Sequence, residues 1–151
     1  GNHEQRLVES LQKDSTEDQQ DLLAIETYRQ LGDTLTRKWL HRLSKLPFVY
    51  AGDGWVATHA GFDEHGRPDL QVREPFWNNY DGRYGTVVVG HTPRPAVEQR
   101  GKIMMIDTGA VYGGLLTAFC PETDAVVQVI GQRGDSTMSQ CSDELSAAVP
   151  C

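Results

Sequence analysis

The sequence changes character after Pro47, from polar stretches with spaced apolar residues to short apolar runs separated by glycine, proline and aspartate. Runs of this kind, bounded by residues that favour turns, predict strands joined by loops. The alternation therefore limits residues 48–130 to a fold rich in short strands. We expect strands at residues 48–50, 55–58, 86–89, 102–106, 115–119 and 125–130.

Two helices are predicted before this strand-rich part. Apolar residues recur at near-helical spacing from residue 18 to residue 31, and Gly32 then interrupts the pattern. Asp33 and Thr34 can cap a second helix, which Pro47 ends. One face of this second helix carries the apolar residues Leu35, Trp39, Leu43 and Leu46.

Helices followed by a series of strands predict a mixed α/β or α+β layer structure. We expect one domain over residues 1–130, with a helical part at 16–46 and a strand-rich part at 48–130. Residues 131–151 are rich in Ser, Gln, Asp and Gly without any period, so we expect a flexible polar tail.

The composition is that of one compact, acidic domain. A chain of 151 residues with 38% hydrophobic residues can bury a single core. Its net charge of −7 argues against a nucleic-acid or anionic-membrane partner, because phosphate groups attract clusters of Lys and Arg. No apolar run approaches the roughly 18 residues of a membrane span, and we expect a cytoplasmic protein. Bound divalent cations could attract an anionic substrate.

Three histidines lie beside glycine or other small residues at the expected ends of strands: His3, His59 and His91. Two such side chains on neighbouring strands could share one metal ion, and Asn2 could add an amide oxygen. Mn, Fe and Zn accept this mixture of imidazole nitrogen and oxygen ligands. On composition alone, the alternative is a surface or hydrogen-bonded core role for each histidine.

Four segments, in this order, resemble motifs of the calcineurin-like metallophosphoesterases: Gly1-Asn2-His3-Glu4, Thr58-His59-Ala60-Gly61, Val89-Gly90-His91-Thr92-Pro93 and the glycine-rich residues 106–114. They are similar to the third, fourth and fifth motifs of the family and to the strand turn that follows. Their order and spacing match the bacterial branch that contains serine/threonine protein phosphatases and diadenosine tetraphosphatases. The resemblance implies a two-sheet β-sandwich flanked by helices.

The resemblance also implies roles for individual residues. Asn2, His59 and His91 would bind the second of two divalent metal ions, which would be Mn, Fe or Zn. His3 would protonate the leaving oxygen as general acid, with Glu4 orienting its loop. The implied reaction is direct attack of a metal-activated hydroxide on a phosphomonoester of a phosphorylated protein or a small molecule.

Two further residues are candidates for substrate binding. Tyr112 corresponds to an aromatic residue that lines the phosphate cleft in the protein-phosphatase branch, and simple packing in the turn is the alternative. Arg73 lies in a segment comparable to one that supplies a phosphate-binding arginine. A guanidinium group can hold phosphate through two parallel hydrogen bonds. A solvated loop arginine is the alternative for Arg73.

The family's first two motifs, Asp-x-His and Gly-Asp-x-x-Asp-Arg, are not found in their expected places. Asp63-Glu64-His65 spells the first but follows the fourth motif in a polar loop, and the segment from Gly32 to Arg37 lacks the second aspartate. We interpret both as chance matches. Because those motifs supply the ligands of the first metal ion, we expect this N-terminally truncated chain to bind at most one ion and to be inactive, although the intact enzyme would use two.

Two other functions stay open at this point. Diadenosine tetraphosphate hydrolysis cannot be separated from phosphomonoester hydrolysis, because residues 5–46 and 62–83 contain no interpretable substrate-recognition motif. A non-catalytic binding module with a residual metal site is the second alternative. The two early motifs, if found immediately upstream in the reading frame, would favour catalysis.

Overall fold

The computed structural model describes residues 1–12 and 22–131. It divides into two compact units, Gly1–Phe48 and Val49–Cys151. The start of the first predicted helix and nearly all of the predicted tail lie outside the described residues. Among the described helices, none is long and apolar enough to cross a membrane.

The first unit contains helices α1 (Asn2–Gln12) and α2 (Glu26–Leu43). Helix α1 begins at Asn2, before the helical part expected at 16–46, and was not predicted. Helix α1 buries Leu7 and Val8, which are 0% and 6% exposed, and these two neighbours give one side of the helix its apolar contact. Leu7 packs in a small core with Leu22 and Ile25.

Helix α2 is interrupted at Gly32, as the sequence predicts. Its φ of 70° and ψ of 170° lie outside the helical region, and the positive φ favours glycine. The predicted apolar face is mostly exposed, at 45% for Leu35 and 43% for Trp39, whereas Thr36 is fully buried. Leu43 of the predicted face does pack against the small core, so the helical period identified the helix but only part of its covered side.

The second unit contains strands β1 (Val49–Ala51), β2 (Trp55–Thr58), β3 (Gly61–Phe62), β4 (Pro68–Asp69), β5 (Thr86–Val89), β6 (Glu98–Arg100), β7 (Ile103–Met105), β8 (Leu115–Cys120) and β9 (Ala125–Ile130). Five of them form a mixed sheet in the order β1-β2-β5-β7-β6. Strands β2, β5 and β7 are parallel, and the edge strands β1 and β6 pair antiparallel to them. Two small antiparallel pairs, β3-β4 and β8-β9, complete the strands.

All six predicted strands are confirmed to within one residue at each end. The mixed α/β class is confirmed as well. The sequence analysis missed β3, β4 and β6 and the short helix α3 (Glu74–Asn79). Strand β6 is polar and lies at an edge of the sheet, so it carries none of the apolar signal on which the strand predictions depended.

The main core lies between the central strands and α3. Val87, Ile103 and Met105 are at most 2% exposed, and Phe76 and Trp77 of α3 pack against them. The backbone N–H groups in the first turn of a helix have no partner within the helix. Pro75, which lacks this group, is therefore compatible with the start of α3. This core fixes the positions of the residues that follow β2 and β5.

Candidate functional site

The ends of β2 and β5 bring two of the predicted histidines together. These strands run parallel with Ala57 opposite Val88, so their carboxyl ends meet at one edge of the sheet. The backbone N–H of Gly90 donates to the carbonyl oxygen of His59 at 2.9 Å, which extends the pairing past both strands. His91 follows directly, and the expected strand-end position is therefore confirmed for His59 and His91.

The two imidazole rings face each other through nitrogen atoms. Nε2 of His59 lies 3.1 Å from Nδ1 of His91, and both residues are half-buried. Two nitrogen ligands at about 2.1 Å from one ion would lie about 3.0 to 3.4 Å apart in octahedral or tetrahedral coordination. The observed separation thus fits two ligands of one ion. It also fits a hydrogen bond between the rings.

His91 has an unusual backbone conformation. Its φ is 67°, in the left-handed region that residues with a side chain rarely adopt. The next residue is tied back by a hydrogen bond from the Thr92 N–H to the carbonyl oxygen of Gly90 at 2.7 Å. Non-glycine residues in this region concentrate at functional sites, where the surrounding structure holds them in place.

A cavity of about 390 Å³ lies beside the histidine pair, and Asp107 and Thr108 also line it. Oδ1 of Asp107 accepts the backbone N–H of Gly109 at 3.0 Å, which stabilises the turn between these residues. Within the described ranges, no group of three or more His, Cys, Asp or Glu side chains could hold a metal ion. A metal ion on the two rings would therefore need ligands of other types, such as an amide oxygen.

Asn2, His3 and Glu4 belong to the first unit, whereas the histidine pair belongs to the second. All three lie in the first turn of α1, so Glu4 is helical rather than part of a loop. Oε2 of Glu4 lies 2.8 Å from the amino group of Gly1. A carboxylate is favoured at this end of a helix by the helix dipole.

Arg73 lies beside the strand-end motif of β5. Its Nη1 donates to Oγ1 of Thr92 at 2.9 Å, and Thr92 is the residue after His91. Tyr112 ends a short 3-10 helix, Ala110–Tyr112, and is 40% exposed. The glycines on either side of this helix have positive φ values and form its turns. The hydrogen bond to Thr92 thus connects Arg73 to a neighbour of the histidine pair.

Two residues near Arg73 were missed by the sequence analysis. The guanidinium carbon of Arg94 lies 4.6 Å from the ring centroid of Trp77. Together with Arg73 and Thr92 they line a second cavity of about 400 Å³. The sequence could have indicated Arg94, because it follows His91 by three positions. It could not have indicated Trp77, because the role of Trp77 depends on how α3 packs.

No family model and no curated protein matches this sequence. A crystal structure described as that of a putative diadenosine tetraphosphatase is similar to it, with a TM-score of 0.63 and 21% sequence identity. The similarity covers 89% of this chain and 68% of that chain. At this level of identity the likeness supports the fold.

Proposed function

We propose that His59 and His91 form part of a metal site in a phosphoester hydrolase. The observation that carries this proposal is the 3.1 Å separation of their ring nitrogens at the ends of two parallel strands. Ligands commonly bind at this edge of α/β sheets, beyond the carboxyl ends of the strands. The similar fold of the tetraphosphatase structure supports the same class of chemistry.

In this proposal the two rings hold the ion through neutral imidazole nitrogens, and Asn2 adds an amide oxygen. His3 is the proposed general acid, because an imidazole can carry and release a proton near neutral pH. Arg73 is proposed to bind a phosphate oxygen. A divalent ion bound at such a site supplies Lewis-acid stabilisation of phosphoryl oxygens and lowers the pKa of water.

The proposed substrate is a phosphomonoester of a protein or a small molecule. Diadenosine tetraphosphate is the second candidate, and the description of the structure with a similar fold favours it. Both substrates present a phosphorus atom with anionic oxygens. They differ in the number of phosphate groups and in the presence of the nucleosides, so their relative rates distinguish them.

Metal binding is the first test. We expect His59→Ala and His91→Ala each to weaken Mn²⁺ binding at least about tenfold in isothermal titration calorimetry, because each removes one ligand. His65→Ala is the matched control, since the His65 side chain is 65% exposed and pairs with Glu64. If Mn²⁺ bound equally to all four proteins, His59 and His91 would not be ligands.

Hydrolysis is the second test. Rates with Mn²⁺ on a phosphopeptide and on diadenosine tetraphosphate are compared for the 151-residue chain and for the longest reading frame that contains it. We expect negligible turnover by the 151-residue chain and His59-dependent turnover by the longer one. Metal binding without turnover by either chain would support the binding module instead. Comparable rates in the two chains would contradict our expectation for the shorter one.

A further inference from the structure

Two arginines converge on the indole ring of Trp77. The guanidinium carbons of Arg94 and Arg100 lie 4.6 Å and 5.5 Å from its centroid. Trp77 is only 9% exposed, so its position is fixed by the core. Cations are attracted to the face of an aromatic ring, and this attraction holds the guanidinium group of Arg94 in a defined place.

The charges around this ring leave an excess of guanidinium groups. Glu98 is shared, because Nε of Arg94 lies 3.4 Å from its Oε2 and Nε of Arg100 lies 2.5 Å from its Oε1. Arg73 donates to the neutral hydroxyl of Thr92 rather than to a carboxylate. The cavity itself is lined by two arginines, Arg73 and Arg94, and by one acidic residue, Glu74, in a chain of net charge −7.

Two buried donors at this place lack an acceptor. Within residues 1–12 and 22–131, Nε of Arg94 and Nε1 of Trp77 have no hydrogen-bond partner. The contact of Arg94 with Glu98 is within ion-pair range but does not have the geometry of a hydrogen bond. Buried N–H donors without an acceptor are unfavourable, and both of these belong to residues that line the cavity.

The cavity of about 400 Å³ that Arg73, Thr92, Arg94 and Trp77 line has the size of a ligand site. It is tied to the histidine pair by sequence. The Cα atoms of His91 and Arg94 can be at most about 11 Å apart, because they are three residues apart in the chain. The backbone N–H of Arg94 donates to the carbonyl oxygen of Asp107 at 2.9 Å, which fixes this segment.

We propose that this arginine pocket, formed by Arg73, Thr92, Arg94 and Trp77, binds a second phosphate group of the substrate. The proposal rests on the proposed function of His59 and His91, which engage the first phosphate group. Of the two candidate substrates it selects the second, a polyphosphate ester, because a phosphomonoester has no second phosphate for the arginines. Guanidinium groups suit this task, since their N–H donors match the oxygens of phosphate in pairs.

The test measures binding of tripolyphosphate by isothermal titration calorimetry in the presence of EDTA, so that no metal site contributes. The proteins are the unmodified chain, Arg94→Gln, Arg73→Gln and the control Arg83→Gln. Arg83 is an exposed arginine paired with Asp81, and its substitution removes the same charge. We expect Arg94→Gln and Arg73→Gln each to weaken binding about tenfold or more, and Arg83→Gln by less than about twofold.

Several outcomes would overturn the pocket. These are undetectable tripolyphosphate binding by the unmodified chain, equal binding by all variants, or orthophosphate binding as tight as that of tripolyphosphate. If Arg94→Gln does not fold, Arg73→Gln decides the question, because Arg73 is exposed. Mn²⁺ binding measured on the same proteins tests the histidine pair separately. Mn²⁺ binding together with unchanged tripolyphosphate binding would reject the pocket and leave the proposed hydrolase.

Discussion

Strands β5 and β9 are both rich in valine, but their environments are opposite. In β5, Val87, Val88 and Val89 are at most 6% exposed. In β9, every residue is exposed, and Ile130 reaches 83%. Strand β5 has parallel partners on both sides, whereas β9 has β8 as its partner in a two-stranded sheet. Residue type thus identifies a strand, and the place of the strand in the sheet determines its burial.

The largest expected effect tests this comparison with one substitution at two positions. Ile103 in β7 is 1% exposed, and Ile130 in β9 is 83% exposed. We expect Ile103→Ala to lower the free energy of unfolding by about 3 kcal/mol, because it leaves a cavity in the core. Ile130→Ala should change it by less than about 0.5 kcal/mol.

Urea denaturation followed by circular dichroism measures both values. Similar losses of unfolding free energy for the two variants would show that the hairpin β8-β9 is packed as tightly as the sheet. The proposed difference between the two strands would then be wrong. An effect confined to Ile103 would confirm that the two valine-rich strands differ in their contribution to stability.

The base of the hairpin β8-β9 is closely packed, although its strands are exposed. A Cβ atom added at Gly114 would lie 2.2 Å from the carbonyl oxygen of Thr108, whereas one at Gly101 would meet open space. We expect Gly114→Ala to lower the free energy of unfolding by about 2 to 3 kcal/mol, since backbone atoms must move.

Gly101→Ala is the matched control and should lower the free energy of unfolding by only about 1 kcal/mol, because its φ of 57° disfavours a side chain. The same urea titrations measure both variants. If Gly114→Ala had the smaller effect, the base of the hairpin would be as adaptable as its strands.

The smallest expected effect lies in the loop after β3. The backbone N–H of Arg67 donates to the Asp63 carboxylate, and Nε of the Arg67 side chain donates to it as well. These hydrogen bonds hold the pKa of the Asp63 carboxyl below its ordinary value of 3.8. A lowered pKa means that Asp63 stabilises the fold above its ordinary pKa, and that this contribution is lost as the pH falls through the lowered value.

Asp63→Asn removes this titration, so we expect the unfolding free energy of the variant to fall less steeply with acidification below about pH 4. Urea midpoints of both proteins at several pH values measure the slopes. The difference in unfolding free energy between the two proteins should be smaller than the effect of either glycine substitution, because Asp63 is in an exposed loop. A steeper slope in the variant would contradict the assigned cause.

The sequence predicted the strands well because short apolar runs between turn residues depend on local chemistry. It also predicted that His59 and His91 end neighbouring strands, since the two runs before them are alike. Whether these histidines bind metal stays a prediction. The arginine pocket could not be predicted, because it depends on the side of α3 from which Trp77 meets Arg94.

The helices also show that a local sequence pattern does not determine which residues are buried. The spacing of Leu35 and Trp39 predicted a helix, but these side chains are exposed and Thr36 is buried in their place. Helix α1 was not predicted, although Leu7, Val8 and Leu11 follow a helical spacing. The spacing of apolar residues in a sequence does not show which other element packs against a given face of a helix.

The parallel pairing of β2 and β5 has a consequence for the order of folding. His59 and His91 are 32 positions apart and meet only after the intervening chain, including α3, has closed a long loop. Contacts of this kind form slowly, because the entropy of loop closure must be overcome before the pairing stabilises the chain. An ion bound by both rings would act as a cross-link across that loop and would slow its reopening. The histidine pair would then contribute to the kinetic stability of the sheet.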